Sequence, residues 1–278
     1  MRYQFQTFLH ENISFCAILK THRSSTRLDH HDYHPHYEIY YCRNKVEQDI
    51  IINGQMLTLD KPCLILSAPF SIHGMSLHNA VSTHFERYTV YFNDVFLDSV
   101  GPALLPAVFF NKFPNCIYPL EDEQNEIIGS LFDRLLDATD YYAESCAYFA
   151  AIVNTVTRLV PPEKRITKGS ANHYIVDVLK YIYENKTSPV NAELISEQFH
   201  VSRAKLDRDF RKYVGQSIHK TVIDCRLNHA TELLQTTNMQ IREIATLCGF
   251  ESEYYFYAFF KRNTGKTPTA IRKSKIIV

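Results

Sequence analysis

The run His30-His31-Asp32-Tyr33-His34-Pro35-His36-Tyr37-Glu38 is the most conspicuous cluster of chemistry-bearing side chains, and nine of the 13 histidines fall before residue 90. Side chains alternate across an extended strand, so His34, His36 and Glu38 would share one face there. His73, closing Pro69-Phe-Ser-Ile-His73, can approach from another strand. Two imidazoles and a carboxylate make a ligand set for a transition metal. The same groups also serve a polar organic ligand, or hydrogen-bond structurally inside a small barrel, and the residues leave these three readings open. As an effector pocket the set comprises His34, His36, Glu38, Tyr40 and His73, with Arg87 and Tyr88 on a late strand behind them. Such a ring suits a polyol or sugar, and other small polar molecules equally. Catalysis has less support: no nucleophile stands beside a base, and no glycine loop could cradle a phosphate. No catalytic residue, cofactor or metal is assigned, and the chain is read as no enzyme.

The elements that must position these groups read as short strands over 13–19, 37–43, 48–52, 56–59, 63–67 and 84–92, rich in Ile, Tyr, Phe and Val. Asn53-Gly54 between apolar residues predicts a tight hairpin. Strands at this spacing imply a small barrel or sandwich. From 121 to 160 the period changes: Ile127, Ile128, Leu131, Leu135 and Leu136, then Tyr148, Ile152, Val153, Val156 and Leu159, predict two amphipathic helices. Their apolar stripes must cover the barrel, pack across a subunit boundary, or do both. The Pro161-Pro162 pair, the charges after it and Gly169-Ser170 read as a linker.

A chain of 278 residues with 45% hydrophobic composition can bury about two cores. Its net charge of zero hides an asymmetry: 14 Lys+Arg against 19 Asp+Glu before residue 170, then 16 against 11. The basic C-terminal part is compatible with nucleic acid. Seven scattered cysteines without a C-x-x-C pair read as reduced, mostly buried thiols. No apolar run approaches a membrane span or a signal peptide, so a cytoplasmic protein without membrane contact is expected.

Beyond the linker the pattern is helical and repeats with a period of 50: Leu194 with Ile244, Ser202 with Ser252, Leu206 with Phe256, Phe210 with Phe260, Gly215 with Gly265. Each unit predicts a first helix, a short turn, and a second helix opened by a serine cap and closed by glycine. That is the helix-turn-helix arrangement, whose second helix enters a major groove. In the first unit Arg203, Ala204, Asp207 and Arg208 would face out, with Arg211 and Lys212 near the helix end. Arg208 could pair bidentately with guanine, while Arg203, Arg211 and Lys212 could meet phosphate. A helix from about 218 to 236 would space two reading heads. Charge and repeat equally fit a duplicated helical interaction domain.

The run Ile241-Arg-Glu-Ile-Ala-Thr-Leu-Cys-Gly-Phe250, then Tyr255-Phe256, Phe260-Lys261-Arg262, Gly265, Thr267-Pro268 and Ile271-Arg272, resembles the signature of the AraC/XylS family of bacterial transcription regulators. Val201-Ser202, Leu206, Phe210, Gly215, Arg226-Leu227, Ala230 and Leu233-Leu234 resemble its first unit, so the resemblance covers roughly 172–274. It implies an α+β two-domain protein. Residues 1–160 would form a cupin-like effector barrel with a helical dimerisation hairpin, 161–170 a linker, and 171–278 an all-α DNA-binding domain with two helix-turn-helix units.

The resemblance further implies a sequence-specific regulator, homodimeric and cytoplasmic, that binds double-stranded DNA. An activator that contacts RNA polymerase is one expectation, with repression left open by the residues, and a small-molecule effector such as a sugar is expected to control it. Carried over by position, base reading falls on Ala204, Asp207 and Arg208, and on Glu253, Tyr254, Tyr257 and Ala258, with Ser202, Lys261 and Arg262 beside them. The chain departs from the family at alanine 258, commonly arginine, at tyrosine 254, often small or polar, and at isoleucine 195, usually alanine. The first unit is therefore expected to carry most base discrimination. The histidine segment resembles the cupin-like barrel of such regulators, through its H-x-H, Y-E-I and P-x-x-x-H. Metal-dependent cupins place the glutamate further on than Glu38. A cupin-type metalloprotein or enzyme fused to a DNA-binding domain is the alternative.

Overall fold

The computed structural model describes residues 15–22, 32–77, 85–106, 115–138, 141–167 and 174–273. His30, His31, positions 13 and 14 of the first expected strand, and 168–170 of the expected linker lie outside them. The described residues form a two-domain α+β protein, one compact unit within 15–167 and the other within 174–273.

The first unit holds strands β1 (Phe15–His22), β2 (Tyr37–Cys42), β3 (Gln48–Ile52), β4 (Gln55–Leu59), β5 (Cys63–Ser67), β6 (His73–Leu77), β7 (Phe85–Phe92), β8 (Cys116–Pro119) and β9 (Ile166–Thr167). Its helices are α1 (Asp94–Val100), α2 (Asp122–Asp137) and α3 (Tyr142–Leu159). Six strands pair in the order β1-β7-β2-β5-β8-β9, and three in the order β4-β3-β6, all antiparallel. Asn53 and Gly54 both take positive φ, 49° and 77°, as the two-residue β3–β4 turn requires.

Strand alternation builds three layers. Tyr41, Leu64, Leu66, Val90, Phe92 and Tyr118 pack against Phe96 of α1, Ile128 and Phe132 of α2, and Phe149, Ile152 and Val156 of α3. The opposite face, with Tyr40, Cys42, Cys63, Ile65 and Ile117, meets Ile50 and Ile52 of the small sheet. The large sheet is thus apolar on both sides, and Ile39–Cys42 is buried throughout.

The expected barrel is corrected here: among the described residues neither sheet closes on itself. The β3–β4 hairpin bonds to β6 and stacks over the large sheet instead of extending its ladder. The two expected helices are present, but their stripes are buried against the large sheet and so lose their force as evidence for a subunit boundary. Ile127, counted in that stripe, is 39% exposed.

Part of the stretch read as linker is tied to the first unit. Pro162–Lys164 form a 3-10 turn, β9 pairs with β8, and Arg165 Nε donates to the Val160 carbonyl at 2.8 Å. Cys42, Cys63, Cys116, Cys146, Cys225 and Cys248 carry thiols that are not joined in disulfides. Burial pushes the Cys42 and Cys248 thiols up to about 12, which keeps them protonated. Among the described residues no helix is long and apolar enough to cross a membrane.

The second unit comprises α4 (Tyr174–Glu184), α5 (Ala192–Gln198), α6 (Arg203–Val214), α7 (Ile218–Thr236), α8 (Ile241–Leu247), α9 (Glu253–Thr264) and α10 (Pro268–Lys273). Leu227, Ala230 and Leu234 of α7 share a core with Ile244, Phe256, Phe260 and Ile271.

Candidate DNA-reading units and effector site

Two helix pairs, α5–α6 and α8–α9, carry the reading faces. Ser202 Oγ accepts from Lys205 N and Ser252 Oγ from Tyr255 N, each at 3.3 Å, which supplies acceptors to otherwise orphaned amides. Gly215 and Gly265 end α6 and α9 in the left-handed conformation, at φ 78° and 77°. Leu206 and Phe210, and Phe256 and Phe260, are fully buried at i,i+4 spacing, so each second helix turns its opposite face outward.

The turns show that the period of 50 does not hold throughout. Phe199 N, His200 N and Val201 N donate to the carbonyls of Ile195, Glu197 and Ser196. The same ladder runs from Cys248 N, Gly249 N and Phe250 N to Ile244, Thr246 and Ala245. These partners are 49 apart, whereas the capping serines are 50 apart, so the second turn holds one additional residue, Glu251. The pairing of Leu194 with Ile244 is corrected: Ile195 and Ile244 are the matching buried residues, and Leu194 is 43% exposed. The departure read at position 195 moves with it to Ser196, which occupies the place of Ala245.

His200 and Gly249 are the left-handed residues of the two turns, at φ 52° and 76°. A Cβ on Gly249 would lie 3.2 Å from Arg226 Cζ. That guanidinium, from the middle of α7, donates to the carbonyls of Lys186 and Ser188 at 2.9 and 2.8 Å. Arg226 thereby ties the α4–α5 connection to the α8–α9 turn. Gly249→Ala should lower stability by about 1–2 kcal/mol from the left-handed backbone alone, and His200→Gly should recover up to about 1 kcal/mol, both read by urea unfolding. Equal, neutral effects would show that neither turn carries strain.

The outward face of α6 is partly self-neutralised. Arg203 Nε meets Asp207 Oδ2 at 2.8 Å, and its Nη1 pairs with Glu193. Asp209, buried below, accepts from Lys205 and, at 3.0 Å, from Tyr174 Oη. Arg208 is an accessible cation: its side chain is 71% exposed, with a 3.4 Å contact to Asp209 Oδ1. Ala204, Arg211 and Lys212 are exposed around it. On α9, Glu253, Ala258, Lys261 and Arg262 are exposed and Tyr254 is 86% exposed, but Tyr257 Oη is bonded to Thr269 Oγ1 at 2.7 Å. Arg262 lies over the Phe259 ring at 5.3 Å.

In the first unit the structure brings three expected residues into one cluster. His34 Nε2 and His73 Nε2 lie 2.9 and 2.8 Å from the same oxygen, Glu38 Oε2. Glu38 sits on β2 between Ser67 of β5 and Tyr91 of β7. His34 and His73 are brought there by their backbones: Phe70 N donates to His34 O at 2.8 Å, and Asp32 and His73 exchange both main-chain bonds. Asn53 and Asn115 hold the 68–72 segment through Ile72 N and Ala68 N. Burial pushes the Glu38 carboxyl up, but the His73 charge and both imidazole bonds outweigh it and hold it well below the carboxylate range. Burial pushes His73 down, yet Glu38 opposite raises it to about 9.

The other expected pocket residues divide. Tyr40 and Arg87 lie on the same face, with the guanidinium 5.6 Å from the Tyr40 ring centre. Thr89, opposite Tyr40 in register, belongs with them and was not anticipated; its buried Oγ1 and Arg87 Nε have no hydrogen-bond partner among the described residues. His36 is buried, its ring 6.2 Å from that of His34. Tyr88 is corrected out of the pocket. It follows Arg87 in a strand and so points to the other side, where its hydroxyl bonds Asp133 of α2 and accepts from Arg43 Nη1 at 3.1 Å.

Residues 195–274 match the family model described as a helix-turn-helix domain. The xylose operon regulatory protein of Escherichia coli (strain K12) is 29% identical over 120 residues, 41% of this chain and 31% of the relative. Its namesake in Haemophilus influenzae is 26% identical over 195 residues, 63% of this chain and 50% of that one. The crystal structure of a transcriptional regulator with an AraC-type DNA-binding domain from Chromobacterium violaceum is 28% identical. It covers 38% of this chain and 95% of its own, with a TM-score of 0.36. The chain thus spans a third to a half of the length of these curated relatives. Residues 195–274 thus form a helix-turn-helix domain, and the chain is similar to the xylose operon regulatory proteins.

Proposed function

We propose that the chain is a sequence-specific, DNA-binding transcription regulator whose first unit binds a small polar effector. What carries the reading is the pair of capped second helices with accessible outward faces, α6 and α9, joined by α7, whose Leu227, Ala230 and Leu234 pack with Phe256 and Phe260 of α9. A base-reading division follows from their side chains. Arg208 can reach guanine, whereas α9 offers Tyr254, Ala258 and a Tyr257 whose hydroxyl is already engaged. Ser202, Arg203, Arg211, Lys212, Lys261 and Arg262 are assigned to the DNA backbone. The effector would bind where Glu38, Tyr40, Arg87 and Thr89 share a face of the large sheet and His73 reaches Glu38 from the small one, with a sugar or polyol as the class that such groups suit. Homodimerisation, activation through RNA polymerase and a cytoplasmic location come to this chain from the family alone.

Fluorescence anisotropy of the full chain on DNA flanking its own gene, titrated across salt with random duplex as competitor, tests the reading. A site preferred at least roughly a thousandfold over random DNA is the expected result. Equal, weak affinity for every duplex, with and without candidate sugars, would defeat it.

A further inference from the structure

We infer that His34, Glu38 and His73 together hold a divalent first-row transition-metal ion. Hydrogen-bond polarity carries the inference. Each imidazole commits its Nδ1 to a main-chain carbonyl, His34 to His36 O at 3.0 Å and His73 to Ser71 O at 2.8 Å. A carbonyl only accepts, so Nδ1 bears the hydrogen in both rings, and each neutral ring keeps a bare lone pair on Nε2. Both lone pairs point at Glu38 Oε2, from 2.9 and 2.8 Å. Three electron-rich atoms converging at that range require positive charge among them.

Two protons would supply it by making both rings imidazolium. One divalent ion supplies it with both rings neutral, in the arrangement of metal-bound histidines whose far nitrogen donates to a backbone carbonyl. The ligand atoms lie within 4.8 Å of one another, and both Nε2 atoms lie well inside the roughly 4.4 Å from Glu38 Oε2 that two ligands of one ion can span. The set is built rather than incidental: Glu38 is 6% exposed inside the large sheet, and main-chain bonds fix the segments carrying both histidines. Two nitrogens and one carboxylate favour zinc, iron, cobalt, nickel or manganese over magnesium or calcium. Three protein ligands also leave coordination positions for water or for a hydroxyl or carboxylate of an organic effector. Only a role of the ion in effector sensing rests on the regulator reading; its binding does not.

The test uses untagged full-length protein, stripped by chelator and titrated with cobalt(II). One equivalent bound, with visible absorption bands that disappear in His73→Gln and Glu38→Gln and persist in His219→Gln, is the expected result. X-ray absorption on the wild-type cobalt protein needs no variant to fold and should report two imidazole ligands. Undiminished binding in both site variants, no histidine scattering, or a folded wild-type chain that takes up no cobalt would overturn the inference and leave a pair of imidazoliums on Glu38. Anisotropy on the same sample separates the two readings, since normal DNA binding by protein that takes no cobalt defeats the metal site alone.

Discussion

Phe256→Ala should destabilise the C-terminal unit by about 3–5 kcal/mol, the usual cost of emptying a large aromatic site in a packed core. Phe256 is 0% exposed and lies between Phe250, at 5.0 Å and edge-on, and Phe260, at 5.3 Å. It also joins α9 to α7 and α8 through Leu227, Ala230 and Ile244. A loss of this size is comparable to the whole stability of a small domain, so DNA binding should disappear with it. Tyr255→Ala, one residue away and 55% exposed, should change stability by no more than about 0.5 kcal/mol. Urea unfolding of the full chain, monitored by circular dichroism alongside anisotropy, checks both. A Phe256→Ala protein that unfolds at the wild-type midpoint would refute the assigned core.

The second large effect concerns recognition. Arg208→Ala should cost about 1–3 kcal/mol of discrimination, roughly 5- to 150-fold, if its guanidinium pairs bidentately with a guanine. Affinity for random duplex should fall far less. Tyr257→Ala should cost less discrimination, because its hydroxyl is held by Thr269. Competition anisotropy on a mapped site gives both numbers, and an equal loss in the two variants would reject the division between the units.

The repeated units were legible because their boundaries demand particular residue types. A serine acceptor opens each reading helix and a left-handed glycine ends it, so Ser202, Ser252, Gly215 and Gly265 stand out. The single-residue offset was not legible, since Leu194 and Ile195 are adjacent and both apolar; only the hydrogen-bond ladder of the turn decides which is inward. His34, Glu38 and His73 were foreseen as neighbours, although strand alternation alone does not produce their contact. His34 precedes β2, and its approach depends on main-chain bonds to the 70–73 segment, which no local pattern encodes. Reading Arg87 and Tyr88 together on a late strand overlooks the alternation that sends neighbouring residues to opposite faces. The four residues of β8 and two of β9 are too short for periodicity to reveal, and the open sheets result from a pairing choice between distant strands.

The additional residue in the second turn, together with the unlike faces of α6 and α9, gives the C-terminal unit a polarity. Two identical heads would fit a tandem repeat equally well in either phase. Arg208 at one end and a tyrosine-bearing surface at the other ask for different bases, so a single chain seated on a duplex would distinguish upstream from downstream. A recognition site for it would carry an arrow, and turning that site around would turn everything attached to the protein with it.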